Sequence, residues 1–550
     1  MRLPLKRHPC VTRAGCDVGA FSLNGLAIEN KTDITNIFGS TVSATAATQD
    51  YEGVATHCAK GSPLCSNAQF AKPDLLPDEP GGYTGFSALF GNINVQPAIS
   101  PSGPMTDLDG VVITDPSSNK PGFPTNFDPS ATASLGYAAK MLEAGVQVVY
   151  TYVADAHDPQ RLDIPNAPAT PNSGRAYGPG EAGYVTALKS YDKAFGQFFA
   201  RLKKDGIDET NTLFVVVPDE NDHFVGGPPS PAHCDGVNTP CTYKNVGEIE
   251  VSTDKLLLQQ RMNSTPFLVH SDDAPNVYIN TNPAATGTLT RTMEHDLDAL
   301  TATNPITGST DKLSKLLADR AEMKLLHMIT FSPQRTPSFT MFGDDNYFFE
   351  TGNNSGCATP TDVVCEAPGF AWNHGDFQQD ITRTWVAMVG PGVRRLGRDD
   401  AVFSDHADVR PTVMARLGLT DDYVHEGRAV AEFMNDDALP SGIRRSRENF
   451  LELATVFKQL NAPKGDLGRA SLVWANRSVT ATDKTYARYL QQIGDITAKR
   501  DQLAGQIKTV LNNAAFHNQP VDEGAEDGLG HRASALIDEV KDLAEGRHDF

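Results

Sequence analysis

The sequence lacks a long apolar segment and an excess of positive charge. No apolar run in its 550 residues reaches the ~18 residues that a membrane-spanning helix needs. Lysine and arginine together number 47, against 68 aspartate and glutamate residues, which gives a formal net charge of −21. A protein that binds nucleic acid or an anionic membrane surface through its charge needs a basic face. The composition therefore argues against both of these functions.

The N-terminus lacks the apolar core of a signal peptide, and the cysteines lack the Cys-x-x-Cys spacing of a zinc knuckle. The eight cysteines instead form four close pairs: Cys10 and Cys16, Cys58 and Cys65, Cys234 and Cys241, Cys357 and Cys365. This spacing favours local disulfides over free thiols, and hence an extracytoplasmic or secreted protein. Because the disulfide pattern is accompanied by no export signal, we expect the chain to begin downstream of one.

The distribution of periodic patterns and turn-forming residues divides the chain into three predicted regions. Residues 1–129 are rich in Gly, Pro, Ser, Thr, Asn and Asp and predict loops. Residues 130–435 predict a core with an insertion near 224–370, and residues 436–550 predict a helical tail. In that tail, positions 489–510 carry a seam with 4-3 spacing that only Arg500 interrupts. An antiparallel helical hairpin and a single amphipathic helix on the main body both fit this pattern.

The core region alternates helical and strand patterns. Helices are predicted from Ser130 to Gly145 and from Gly180 to Asp205, and each precedes a continuous apolar run, Val146–Val153 or Thr212–Val217. Apolar runs without alternation are typical of strands buried on both faces. The order therefore predicts an α/β fold with a mostly parallel sheet covered by helices on both faces. Within the insertion, the pattern predicts strands and helices in this order: Pro266–His270, Asn276–Ile279, Arg291–Leu300 and Leu313–Met328.

Acidic and imidazole side chains cluster where two of these strands end. Asp155 and His157 follow the first run, and Asp219, Glu220, Asp222 and His223 follow the second. His374 lies in a loop before a further strand pattern. A single Asp–His pair is usually a hydrogen-bonded turn. Three such groups at strand ends favour a metal site instead, because ligands bind beyond the carboxyl ends of strands in open α/β sheets.

A family resemblance is visible across about 300 residues. Residues 130–430 resemble the alkaline phosphatase superfamily, particularly its phosphodiesterase/nucleotide pyrophosphatase and phosphoesterase branches. The segments that carry the resemblance are 152–158 (Tyr-Val-Ala-Asp-Ala-His-Asp), 177–179 (Tyr-Gly-Pro), 215–224 (Val-Val-Val-Pro-Asp-Glu-Asn-Asp-His-Phe), 373–375 (Asn-His-Gly), 390–393 (Gly-Pro-Gly-Val) and 408–412 (Asp-Val-Arg-Pro-Thr).

The resemblance implies a hydrolase of small phosphate esters that uses two divalent metal ions, usually zinc. It maps the ligands of the first ion to Asp155, His157 and His374. The second ion maps to Asp219 and His223, with Glu220 and Asp222 as alternates. The family's usual second cluster is a contiguous Asp-His-Gly, whereas Asp219 and His223 stand four positions apart here. No cysteine has the sequence context of a sulfatase nucleophile, which disfavours that branch.

The chain departs from the family pattern at its start. The family's first strand ends in a metal-binding Asp, and a helix with a Ser or Thr nucleophile follows it, but no such element precedes Ser130. We therefore expect this sequence to lack the nucleophile and one metal ligand, and to be inactive alone, through a misplaced start or a natural truncation. Two alternatives remain open: a secreted, catalytically inactive protein that binds a metal or another ligand, and a structural surface protein.

Overall fold

The computed structural model describes residues 100, 102–115, 120–121, 130–151, 153, 176–270, 274–329, 336–354, 356–420 and 425–547. The strands are β1 (Thr114–Asp115), β2 (Lys120–Pro121), β3 (Phe214–Val216), β4 (His223–Phe224), β5 (Glu248–Ser252), β6 (Phe267–His270), β7 (Asn276–Ile279), β8 (Thr301–Thr303), β9 (Thr310–Lys312), β10 (Ser314–Asp319), β11 (Phe339–Gly343), β12 (Tyr347–Glu350), β13 (Val364–Ala367), β14 (Trp372–Asn373) and β15 (Ala387–Val389). The α-helices are α1 (Ala131–Glu143), α2 (Ala182–Lys204), α3 (Thr253–Arg261), α4 (Thr288–Asp298), α5 (Arg320–Leu325), α6 (Gln379–Thr382), α7 (Val409–Arg416), α8 (Ser441–Arg445), α9 (Arg447–Asn461), α10 (Asp466–Val479), α11 (Asp483–Phe516) and α12 (Glu523–Ala544).

The two helices predicted in the first half of the core are confirmed. The Ser130 hydroxyl accepts the N–H of Ala133 at 3.3 Å and caps α1, as its position before the apolar pattern indicated. Helix α1 stops at Gly145 and α2 stops at Gly206, and both glycines adopt a positive φ that other residues rarely adopt. The two helices pack against each other through a small apolar cluster that includes Leu135 and Phe198.

The sheets are small and mostly antiparallel, which differs from the predicted parallel sheet. Strand β3 pairs with β15 in the antiparallel direction, and in the described residues only β5 and β12 run parallel. The predicted strand at 146–153 is absent from the described positions 146–151, where Tyr150 is 89% exposed. An apolar run favours burial, but the direction of a strand depends on its partner, which for β3 lies about 170 residues downstream.

The structure confirms some of the elements predicted within the insertion and contradicts others. Strands β6 and β7 and helix α4 lie where the pattern placed them, and β6 and β7 join β10 and β11 in a four-stranded antiparallel sheet. The helix predicted over Leu313–Met328 is wrong in its first half, which forms β10. The reason is Asp319, whose side chain accepts the Glu322 N–H at 2.9 Å and begins α5 at that point.

The helical tail forms the predicted hairpin of α11 and α12, rather than one helix. One apolar core includes residues of β5–β7, β10–β12 and the helices α8–α12. Arg500, which interrupts the apolar seam, is 2% exposed, and its guanidinium donates to the Leu325 carbonyl at 2.8 Å. The tail therefore shares a core with the sheets, while the region boundaries at 129 and 435 remain predictions.

Asp319 is a buried polar junction between the four-stranded sheet and α11. Besides capping α5, its carboxylate accepts the hydroxyl of Tyr486 at 2.7 Å and that of Tyr489 at 3.1 Å. Burial raises the pKa of Asp319, and the three hydrogen bonds oppose that shift. The sheet and the tail are thus joined by hydrogen bonds that are removed from solvent.

Both cysteine pairs within the described residues are bonded. Cys234 is joined to Cys241 and Cys357 to Cys365, with Cα–Cα distances of 5.3 and 5.9 Å. The pairs at positions 10 and 16 and at 58 and 65 lie outside the described residues. The two bonds are consistent with an extracellular location. Within the described ranges, no helix combines the length and the apolarity that crossing a membrane requires.

We predict that Asp319→Ala lowers the free energy of unfolding by about 3 kcal/mol, because two buried tyrosine hydroxyls and a helix N-terminus lose their acceptor. Tyr486→Phe removes one of these hydrogen bonds and should cost about 1 kcal/mol. Urea denaturation followed by circular dichroism measures both values. Equal stabilities of the two variants would show that Asp319 does not join the sheet to the tail.

A second prediction concerns Glu322, which is fully buried and accepts the Ser471 hydroxyl at 2.6 Å. Burial raises its pKa from 4.5 to about 8. The folded chain therefore keeps this proton while the unfolded chain loses it, so the contribution of Glu322 to stability falls as pH rises from about 4.5 to about 8. Glu322→Gln should gain stability relative to the native chain across that interval, in denaturation series at several pH values.

Glu452→Gln is the matched control, because this side chain is exposed on α9. It should follow the native pH profile. A Glu322→Gln profile parallel to that of the native chain would contradict the assignment of a buried, protonated carboxyl.

Candidate metal centre

Three separate segments bring metal-ligating side chains together at one point. His223 lies on β4, which pairs with β14 so that His223 stands opposite Asn373. Asp345 lies in the turn between β11 and β12, and Asp380 lies in the first turn of the short helix α6. Because β11 and β12 belong to different sheets, the turn that carries Asp345 is anchored on both sides.

The imidazole of His223 faces two carboxylates with the same ring nitrogen. Its Nδ1 lies 2.6 Å from Asp380 Oδ2 and 3.7 Å from Asp345 Oδ2. One ligand atom from each of the three residues lies within 4.8 Å of the other two. An imidazole nitrogen and two carboxylate oxygens are a ligand set that suits zinc and leaves a fourth position open.

Asn346 fixes the orientation of the imidazole. Its side-chain Nδ2 donates to Asp344 Oδ1 at 2.8 Å, which leaves its Oδ1 facing His223 Nε2 at 3.4 Å. An amide oxygen only accepts, so the hydrogen-bond network assigns a proton to Nε2. The shorter contact, at 2.6 Å, joins Nδ1 to a carboxylate oxygen of Asp380, which also only accepts, so Nδ1 donates a hydrogen bond here and a metal ion at Nδ1 would take the place of that proton. Metal-binding histidines usually have such a partner on the other ring nitrogen.

Side-chain amides also connect the three segments through the backbone. Asn221 donates to the Asp380 carbonyl at 2.7 Å, and Asn373 donates to the Asp345 carbonyl at 3.1 Å. Gln378 donates to the Gly343 carbonyl at 2.7 Å and so links α6 to the end of β11. Each of these bonds holds the main chain of a ligand residue or of a residue close to it in sequence. The bonds therefore limit the movement of the ligand side chains.

The electrostatics of the group favour a bound cation. Burial raises the pKa of Asp345; the charge of His223 opposes this shift, while the carboxylates of Asp344 and Asp380 add to it. Lys315 pairs with Asp344 at 2.7 Å, and its charge also opposes the rise in the pKa of Asp345. The side chains of His223, Asp345 and Asp380 are 23%, 25% and 49% exposed, so a small molecule can reach the group from solvent.

The structure brings together only part of the set that the sequence proposed. His223 belongs to the three-residue group, which contains neither Asp219 nor His374. Asp219 accepts the backbone N–H of Glu220 at 3.1 Å. His374 Nδ1 lies 3.3 Å from Glu220 Oε1, so this alternate ligand pairs with the imidazole that was assigned to the other ion.

Of the three remaining members of the proposed set, the structure describes only Asp222, which does not belong to the three-residue group. Asp155 and His157 lie outside the described residues. Asp222 is half-buried, and its charge contributes to the raised pKa of Tyr184. The ligand assignments from the resemblance therefore remain predictions, with His223 as the one residue that the described structure places in a metal-type group.

Sequence reasoning missed Asp345 and Asp380. Asp344-Asp345-Asn346 follows the largely apolar run Phe339–Phe342 after one glycine, a signal similar to the one that selected the other clusters. It was overlooked because the region was interpreted as an insertion. Asp380 carries no comparable signal, since it lies in a polar segment and reaches His223 only through the fold.

Comparisons of this chain with protein-family models, with curated proteins and with solved structures find no match. The assignment of a function therefore rests on the geometry of the site and on the resemblance in the sequence motifs.

We predict that the chain binds zinc at this group and that His223→Ala or Asp345→Asn lowers the affinity at least 100-fold, because each removes a ligand. Asn346→Ala should lower it by about 10–100-fold, since it removes the bond that orients the ring. The affinity of each apoprotein for zinc is measured by titration in competition with a chromophoric chelator. His531→Ala, which removes an exposed imidazole on α12, is the control and should bind as the native chain does. Native affinity in His223→Ala would exclude this centre.

Proposed function

We propose that this chain carries the metal centre of a hydrolase of phosphate esters, of the phosphodiesterase or phosphatase type, with a divalent ion at His223, Asp345 and Asp380; no nucleophile is assigned among its residues, so turnover by this chain should be slow. The observation that carries the proposal is the convergence of one imidazole nitrogen and two carboxylates within 4.8 Å at a solvent-accessible point. The sequence motifs over residues 130–430 add the reaction class. An alkaline-phosphatase-like sheet remains part of the proposal.

The residues present fit a zinc ion better than they fit a purely structural role. A structural His–Asp pair needs one carboxylate, whereas two face Nδ1 here and a third, that of Asp344, lies beside them. Placing several carboxylates together is unfavourable without a cation. The oriented Nε2 and the open fourth position are what a catalytic rather than a closed structural site requires.

The net charge of the protein supports a metal-dependent reaction on phosphate. A chain with a formal charge of −21 repels phosphate esters unless positive charge is concentrated at the site. A divalent ion at the His223 group would supply that charge and would act as a Lewis acid. The chain's own residues bind and orient: His223, Asp345 and Asp380 hold the ligand positions, and Asn346 keeps the ring in place.

Lys464 supports the same segment from the tail. It lies between α9 and α10, its ammonium donates to the Phe377 carbonyl, and it stands 4.2 Å from the centre of the Phe377 ring. Burial lowers the pKa of Lys464 to about 8, while the charges of Asp376 and Asp380 oppose that shift. The contact holds the loop that leads into α6, and so it helps to position Asp380.

The Glu220–His374 pair is a candidate for proton transfer. A carboxylate that faces one nitrogen of an imidazole orients the ring and favours its protonated form. The alternative from the resemblance is an additional ion, the first of the family's pair, held by Asp155, His157 and His374. Both assignments belong to the proposal, and they differ in whether His374→Ala lowers the number of zinc ions bound.

Phosphate binding tests the substrate class even where turnover is slow. We expect inorganic phosphate to bind the zinc-loaded chain and not the apoprotein, and His223→Ala to abolish the zinc-dependent part, in titration calorimetry. His531→Ala should behave as the native chain does. Equal phosphate binding with and without zinc would contradict the proposal.

Turnover separates the hydrolase from the inactive alternative. A chromogenic phosphodiester and the matching monoester are assayed after chelation and after zinc is restored. Zinc-dependent release of the chromophore, lowered at least 100-fold in Asp345→Asn, supports the hydrolase. Zinc and phosphate binding without turnover of either substrate favours a ligand-binding protein instead.

A further inference from the structure

A second group of metal-ligating atoms surrounds a disulfide. Glu250 lies on β5, the central strand of the sheet that also contains β12 and β13, and Cys365 stands directly opposite it on β13. Residues paired in this way project from the same face of a sheet. A carboxylate oxygen of Glu250 and the two sulfur atoms of Cys357 and Cys365 lie within 4.8 Å of one another.

The Glu250 carboxyl group is built into this position. Glu250 is 4% exposed, and its Oε2 accepts the N–H of Gly356 at 3.1 Å. A Cβ at position 356 would overlap Glu250 Oε1, so the glycine leaves room for the carboxylate beside Cys357. The group therefore has a fixed place next to the sulfur atoms.

The charge of this carboxyl group is poorly balanced. Burial raises the pKa of Glu250 to about 7; the charge of Glu350 and a hydrogen bond with its side chain add to this shift, and the backbone N–H groups of Gly356 and Cys357 oppose it. None of these influences comes from a cationic side chain. Buried carboxylates are usually paired with a cation or bound to a metal. The arrangement places a buried carboxyl group, which can lose its proton to a bound metal ion, beside two potential thiolates.

We propose that Glu250, Cys357 and Cys365 bind one zinc ion after the disulfide is reduced, which makes this pair a metal site controlled by oxidation. Two thiolates and a carboxylate supply three of four tetrahedral positions and leave one for water. In the oxidised chain both sulfur atoms are neutral members of the S–S bond and therefore bind a metal ion only weakly. The site is separate from the His223 group and does not depend on the proposed function.

The chemistry requires a reductant, either a thiol or a phosphine. A thiol attacks the sulfur of Cys365, which is half-buried and thus easier to reach than the buried Cys357. The S–S bond breaks, the two cysteine sulfurs take up two electrons and two protons, and two thiols become one disulfide. With a phosphine, water supplies the oxygen of the phosphine oxide. Zinc then displaces the two thiol protons.

The other described disulfide provides a matched comparison. No third metal-ligating side chain in the described part of the chain lies with Cys234 and Cys241. The two cross-links have similar sequence separations, 7 and 8 residues. They differ in the presence of the buried carboxylate.

The test uses the full chain, reduced anaerobically with a phosphine and titrated with Co²⁺ as a spectroscopic substitute for zinc. We expect thiolate-to-cobalt charge-transfer absorption that reduced Cys357→Ser/Cys365→Ser lacks and the oxidised chain does not show. Glu250→Gln should weaken that component about tenfold or more. Cys234→Ser/Cys241→Ser and His223→Ala should retain it, which separates this site from the proposed catalytic centre.

Three results would overturn the proposal. The first is unchanged cobalt affinity in Glu250→Gln, and the second is equal charge-transfer absorption in the native chain and in Cys357→Ser/Cys365→Ser. The third is loss of the folded state on reduction that cobalt does not restore, as measured by circular dichroism. Displacement of cobalt by zinc in the native chain confirms that zinc takes the same site.

Discussion

The carboxylate of Asp319 joins the helical tail to the sheet that carries one ligand of the candidate centre. It ends β10, begins α5 and accepts the hydroxyls of Tyr486 and Tyr489 from α11, all away from solvent. Strand β10 pairs with β11, and β11 leads directly into the turn that carries Asp345. The helical tail is thus bonded to one end of the β10–β11 pair, and Asp345 lies in the turn at the other end.

The centre itself is held by polar contacts rather than by an apolar core. Asn221, Asn346, Asn373 and Gln378 use their amides to connect β4, β14, α6 and the β11–β12 turn. Such bonds are directional, so they fix the orientation of a ring or a loop more closely than apolar contacts do. The arrangement combines partly exposed ligands with a backbone anchored on buried strands. A binding site needs that combination if its ligands are to be both accessible and preorganised.

Local signals in the sequence were sufficient for elements whose ends are set by neighbouring residues. The Ser130 cap, the glycine at 145, the short strands β6 and β7, and the 4-3 seam of α11 all specify structure within a few residues. The two described disulfides close short loops, so their pairing was also predictable from residues close together in sequence. Direction of strand pairing was not predictable in this way, because β3 depends on β15, which is distant in sequence. The division of 313–328 into strand and helix depended on pairing with β11 and on a cap whose carboxylate also serves two tyrosines.

The candidate site shows the same limit. His223 was found because an acidic and imidazole cluster follows an apolar strand. Asp345 carried a similar signal but lay in a region interpreted as an insertion, and Asp380 meets His223 only through the pairing of β4 with β14 and the amide of Asn221. Ligands contributed by separate segments are visible in the folded chain and not in the spacing of one motif.

A crystal structure of the zinc-soaked protein with anomalous data at the zinc edge tests the central claim most directly. The account predicts an anomalous peak about 2.0–2.2 Å from His223 Nδ1 and from carboxylate oxygens of Asp345 and Asp380. A well-occupied zinc ion elsewhere, with His223 Nδ1 still hydrogen-bonded to Asp380, would contradict it.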